Sequence, residues 1–343
     1  MKIIKTIMTI ITLLFSITFI VFSDKIAECI INSIYLCINV IIPSMFTFML
    51  ISTYIISSGI YKQIFHPLYL IFRNIVKLDE ELFSIFCLSL IGGYPIGIKL
   101  LNENISQNEN FHEIYNKTLI FCYCISPTFA ITMIGFGLYK SFEVGLIIYL
   151  SNVISCTITA IIATNRFNLH TKLKEKTKRY GLIESVKSTS SSLLVICTII
   201  VTFNIGITAI EELISAIGLS LPVQLKAFLE ISNILKLKEA NLTSLPHISA
   251  LASTGGVCVF FQCLSIAGDK IKFKYFLFGR IIIAILSFII TKLILNIFNI
   301  YIPVSSSDMT FCFEFNTQRV LLVLLMLMSI FLMKKNEKKF KKG

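Results

Sequence analysis

Two ionisable side chains stand inside apolar stretches of this chain: Lys99 in "LSLIGGYPIGIKLL" (88–101) and Glu230 in "FLEISNILKL" (228–237). Charges placed there are costly and usually serve a function. Small polar, glycine and proline residues cluster around them and at two further places. The first cluster is Gly92, Gly93, Tyr94, Pro95 and Lys99, and the second is Ser126, Pro127 and Thr128. The third is Glu230, Ser232 and Asn233, and the fourth is Ser253, Thr254, Gly255, Gly256 and Gln262. Hydroxyls, amides and backbone groups freed by broken helices can bind a small solute. An enzyme would need a nucleophile with a positioned base. No His or Asp lies in a span beside a plausible serine, so the chain reads as a binder and not an enzyme.

Other chemistries find little support. The ten cysteines are scattered through apolar runs, and Cys122-x-Cys124 is too close for a CxxC motif. The four histidines stand singly. No metal, cofactor or disulfide framework is expected, and no Walker A pattern appears.

The elements that must position these clusters follow from composition. Of 343 residues, 55% are hydrophobic and 15% charged, and the mean hydropathy is +0.83. Apolar runs recur near the ~20 residues that a spanning helix needs. The expected fold is all-α: a polytopic membrane protein with about eight spanning helices. These fall near 3–23, 26–58 (interrupted at Pro43), 117–139, 141–163, 189–210, 248–267, 275–299 and 319–333. Two short or broken pieces, 82–101 and 225–237, read as re-entrant segments. The first run could be a secretory signal, but "VFSDK" offers no small-x-small cleavage site, so an uncleaved helix is expected.

The net charge of +12 reads as topology and not as a nucleic-acid patch. Seven Lys or Arg lie in 165–188 and six Lys in the tail 334–343. Basic loops mark the cytoplasmic side, which places both termini there, the loop 300–318 outside, and the protein multi-pass in a bilayer. The charge pattern is consistent only if 82–101 enters and leaves on the cytoplasmic side and 225–237 on the outer side.

Laid out this way, one unit occurs twice, in 26–164 and in 189–299, flanked by the outer helices at 1–25 and 319–333. Each unit is a span, a re-entrant piece and two more spans, and the two run in opposite directions. Inverted repeats of this kind hold their broken segments near the midplane, around a solute site. Non-helical backbone survives at that depth only where it is buried in protein or lines a cavity. The glycines and Pro95 are expected to break a helix there, with a half-helix beginning near Ile96 and its N-terminus aimed at the cavity. Lys99 and Glu230 hold corresponding places, so they could pair, or Lys99 could meet an anion. Simpler readings compete: Ser, Thr and Gly as helix-packing surface, Lys99 snorkelling to the interface, and Glu230 on an interfacial helix.

The blocks "PSMFTFMLIS" (43–52), "GGYPIGIKLL" (92–101), "CISPTFAITMIG" (124–135) and "STGGVCVFFQ" (253–262), in that order, resemble the sporulation integral membrane protein YlbJ family, also called SpoVV. That family carries a nucleoside-recognition or Gate domain, shared with concentrative nucleoside transporters. The resemblance covers roughly 30–300. It implies a role in endospore formation, moving dipicolinic acid across the outer forespore membrane. Gly92, Gly93, Tyr94, Pro95 and Lys99 match its first block, Ser126 and Pro127 the next, and Gly255, Gly256 and Gln262 the second-copy block; "EISNIL" matches loosely. The expected partner is therefore a small anionic solute, dipicolinate first. A nucleoside would also use these amides and hydroxyls with Glu230, and a non-transporting scaffold of spore assembly would need no polar cavity. The sequence neither requires nor excludes a homo-oligomer.

Overall fold

The computed structural model describes residues 16–105, 112–167, 169, 181–237, 242–267 and 272–298. Within these, the elements are helices, with no strand among the described residues. Five helices are long and apolar enough to cross a membrane: Ser23–Ser58, Phe142–Phe167, Leu182–Ala216, Leu245–Ala267 and Phe273–Phe298. Of the eight expected spans, 319–333 and most of 3–23 lie outside the described residues. So do 300–318, the tail, and half of the basic loop 165–188.

Helix α1 (Ser23–Ser58) is not broken at Pro43, as its sequence suggested. It widens instead into a π-turn over Cys37–Ile41. Proline lacks an N–H and crowds the carbonyl four residues before it, here that of Asn39. One wider turn absorbs both defects, and the helix continues to Gly59, whose φ of 81° ends it.

Helices α2 (Glu80–Gly92) and α3 (Tyr94–Ile105) form a hairpin. Asp79 caps α2 by accepting from the Glu81 N–H at 3.3 Å. Gly93, with φ +93°, makes the turn. A Cβ built on Gly97 would lie 2.9 Å from the Ser89 Cβ. Residues eight apart in a straight helix stand about 12 Å apart, so α3 folds back along α2. Pro95 sits in the first turn of α3, where a missing N–H costs nothing. Gly93 therefore makes the break, and Pro95 starts the next helix, at Tyr94 and not near Ile96.

The expected span 117–139 is not a continuous helix. A short α4 (His112–Thr118) ends, residues 119–126 are irregular, and the chain recoils through a helical turn at 127–128 into the π-helix α5 (Phe129–Leu138). Residues 119–125 are at most 2% exposed. Hydropathy cannot separate this buried irregular backbone from a helix, because both are apolar. Helix α6 (Phe142–Phe167) packs on α5; a Cβ on Gly145 would lie 2.5 Å from the Ile131 Cα.

The second half also contains interrupted helices. Long helix α7 (Leu182–Ala216) is followed by short α8 (Val223–Leu229) and a 3-10 turn (Ile231–Lys236). Glu230 lies between the last two in an extended conformation. Then come α9 (Leu245–Thr254) and α10 (Gly256–Ala267), broken apart by Gly255 and Gly256 at φ +72° and +73°. Helix α11 (Phe273–Phe298) closes the described bundle.

Side chains on α11 are arranged as lipid requires. Leu277, Ile281, Ile285, Ile289 and Leu293 are exposed at a spacing of four, while Gly279, Arg280, Ile283, Ser287 and Thr291 are buried. The inner face meets α9 through hydroxyls: Ser249 and Ser287 share a 2.9 Å hydrogen bond, and Thr291 donates to the Ser249 hydroxyl at 2.8 Å. Small polar contacts between helices and an apolar exterior suit a bilayer.

Candidate functional site

The breaks come together because side chains satisfy the backbone groups they free. Arg280 donates from Nη2 to the Tyr123 carbonyl and from Nη1 to the Ser253 carbonyl, both at 3.0 Å. Its guanidinium carbon stands 3.2 Å from the Tyr123 ring centroid. The Tyr123 hydroxyl donates to the Thr254 carbonyl at 2.9 Å, and the Tyr94 hydroxyl donates to the Ala252 carbonyl. The Ile125 N–H donates to the Asn152 Oδ1 at 3.2 Å. A buried carbonyl without a donor costs about as much as a lost hydrogen bond. These side chains are what allow an uncoiled backbone to lie inside the bundle.

Glycine does the rest of the fitting. A Cβ on Gly97 of α3 would meet the Cys122 carbonyl oxygen at 2.1 Å, and one on Gly279 of α11 the Ile120 oxygen at 2.0 Å. The irregular stretch is thus clamped between two helices that approach its backbone directly.

Beside this knot lies a cavity of about 70 Å³. Gly93, Tyr94 and Pro95 reach it from the hairpin turn, Ser126 and Thr128 from the start of α5, Glu230 and Ser232 from the second break, and Gln262 from α10. Each of the four clusters singled out in the sequence supplies part of its lining. Helix starts at Tyr94 and at Pro127 border it. Ser126 caps the second by accepting the Phe129 N–H at 3.1 Å, with Pro127 as the first helical residue. Thr128 and Thr132 are the exposed members of the lining.

Glu230 is 3% exposed. Its Oε2 accepts from the Ser232 N–H at 2.9 Å, from the Ser232 hydroxyl, and from Asn233 Nδ2 at 3.5 Å. Asn233 thus supports the site from behind without lining it.

The remaining expected residues fall elsewhere. Lys99 is buried but off the cavity, and it does not pair with Glu230. Its ammonium donates to Glu103 at 2.6 Å, Ser188 at 2.7 Å and Thr53 at 3.0 Å. Those partners tie α3 to α1 and to the start of α7. Gly92, Pro127, Ser253 and Gly255 shape the breaks without lining the cavity. Gly92 packs on Ile96, and Gly255 faces the Tyr123 hydroxyl. Thr254 and Gly256 line a separate, almost wholly apolar groove of about 490 Å³ on the outer side of α10 and α11.

Sequence reasoning passed over Ser44 and Thr132 of the lining, and Arg280, Tyr123 and Asn152 of the knot. Arg280 was detectable, since a lone arginine inside "FLFGRIIIAIL" is as conspicuous as Lys99. Ser44 and Thr132 gave no signal, because single hydroxyls in apolar runs are commonplace. No family model matches the chain, and neither a curated protein nor a solved structure does.

Proposed function

We propose that the protein is a membrane transporter or facilitator for a small solute, with the central cavity as its binding site. The observation that carries this reading is the meeting of broken segments from both halves of the chain on one mostly apolar cavity that holds a carboxylate, several hydroxyls and an amide. Such breaks are tolerated at membrane depth where they serve a site.

The tethering of the two broken hairpins supports opposite entry. Lys99 and Glu103 of α3 bind Ser188 near the start of α7. Lys226 of α8 pairs with Glu211 near its end. At about 1.5 Å per residue these points lie about 35 Å apart, close to the thickness of a hydrocarbon core. That separation supports a reading in which one broken segment enters from each face, as inverted repeats with alternating access would require.

For the solute, the resemblance to the YlbJ family favours dipicolinate, moved across the outer forespore membrane during sporulation. The N-terminal ends at Tyr94 and Pro127 direct partial positive charge at the cavity. One observation favours a second reading: the lining contains a carboxylate and no Lys, Arg or His, which also suits a neutral, hydroxyl-bearing solute such as a nucleoside. The test is reconstitution into liposomes, with labelled dipicolinate and labelled uridine as separate probes. Dipicolinate flux supports the first reading and uridine flux alone the second. Flux of neither supports a scaffold of spore assembly.

A further inference from the structure

We propose that Glu230 is a proton-carrying site, loaded from the cavity and moving one proton with each solute. This rests on the transport reading above and adds the coupling ion to it.

Glu230 is buried, it lines the cavity, and the hydrogen bonds it accepts all fall on Oε2. Oε1 receives none of them and is left for a partner within the cavity. A carboxylate in a low-dielectric site needs a compensating positive charge or a proton. No cation of the neighbouring elements is paired with it. Helix α5 (Phe129–Leu138) has no titratable residue. The π-turn of α1 brings the Cys37 thiol and α10 the Cys258 thiol, both within reach of the Glu230 charge. Helix α7 brings Cys197, whose carbonyl accepts from the Cys37 thiol. Lys226 of α8 is taken by Glu211. The charge of Lys236, on Glu230's own turn, reaches Glu230, but Lys236 is exposed and screened by its surroundings and forms no ion pair with it. Neutrality must therefore come from the cavity.

A proton requires only Oε1. It also resolves the conflict between a carboxylate lining and an anionic solute: protonated Oε1 donates a hydrogen bond to the solute's carboxylate. The proton enters with the solute from the open side and leaves with it on the other, so the net movement is one proton and one solute.

The test uses full-length protein in liposomes, with the membrane potential clamped at zero, labelled dipicolinate as probe and an internal pH dye. An inward gradient of one pH unit should accumulate the probe about tenfold and acidify the interior in step. Any flux retained by Glu230→Gln should ignore the gradient. Wild-type flux that ignores the gradient, or a gradient response surviving in Glu230→Gln, overturns the proposal. If the wild type moves no dipicolinate, that substrate reading fails by itself, and infrared spectroscopy of the purified protein decides the proton site. A carboxylic-acid stretch that titrates in the wild type and is missing from Glu230→Gln sustains it. Identical spectra sink it. Should the Gln variant not fold, Glu230→Asp takes its place; it must keep the titrating band with a shifted midpoint, and an unmoved band counts against the site.

Discussion

Replacing Gly279 by alanine probes the clamp on the irregular stretch. A methyl group there would lie 2.0 Å from the Ile120 carbonyl oxygen, 2.7 Å from its carbon and 2.8 Å from its Cα. Close carbon–oxygen contacts run to about 3.3 Å, so α11 or the backbone at Ile120 must yield by roughly 1 Å. Both are buried, and the three Ile120 atoms are backbone, which no rotamer change can move. Overpacking of this kind costs about 1–3 kcal/mol. Alanine in a helix recovers about 0.5–1 kcal/mol relative to glycine. The net expectation is a loss of about 1–2 kcal/mol. Gly206, in the middle of α7, is the control: a Cβ there meets nothing within 4 Å, so Gly206→Ala should stabilise by about 0.5–1 kcal/mol. Thermal unfolding of the two variants in the same detergent makes the comparison. If Gly279→Ala is as stable as Gly206→Ala, the chain at 119–125 is not pinned beneath α11 and the reasoning fails.

Other expectations can be checked with the same material. Arg280→Lys loses the second carbonyl bond and the flat stack on Tyr123, so it should destabilise by about 1–2 kcal/mol in thermal unfolding. A double-mutant cycle between Lys99→Met and Glu103→Gln should show coupling of about 1 kcal/mol, kept modest because Glu103 is 30% exposed. Its single variants should leave the solute preference of the cavity unchanged, since neither side chain lines it. Spin labels at Leu277, Ile281, Ile285 and Ile289 in bilayers should be accessible to oxygen and shielded from a water-soluble nickel chelate. Water-like accessibility along that row would contradict the lipid-facing assignment.

Hydropathy made the long helices legible, and the break residues of the candidate site could also be read. Gly93, Ser126–Pro127 and Gly255–Gly256 are residue types a helix interior resists, Glu230 is a charge inside an apolar run, and each marks a place where the chain leaves α-helical geometry. What escaped were features without a local signature. The run 117–126 is as apolar as a span because it is buried in protein, and the partners of its backbone groups lie far away in sequence, at Asn152, Cys156 and Arg280. Pro43 looked like a break but is absorbed by a π-turn. Lys99 looked like a ligand group, yet its three partners lie on α1, α3 and α7, a convergence that depends on tertiary packing alone.

The most direct test of a solute-binding cavity formed by the breaks is to fill it. Ser126→Leu places an apolar side chain where the hairpin turn meets the start of α5. Uptake of labelled dipicolinate, or of labelled uridine if that is the probe transported, is then compared with wild type in liposomes of equal protein content. Uptake should fall at least about tenfold, equivalent to about 1.4 kcal/mol, while stability falls by no more than about 1 kcal/mol, the cost of losing the Ser126 cap. Undiminished uptake by a correctly folded Ser126→Leu protein would mean that the solute does not pass through this cavity.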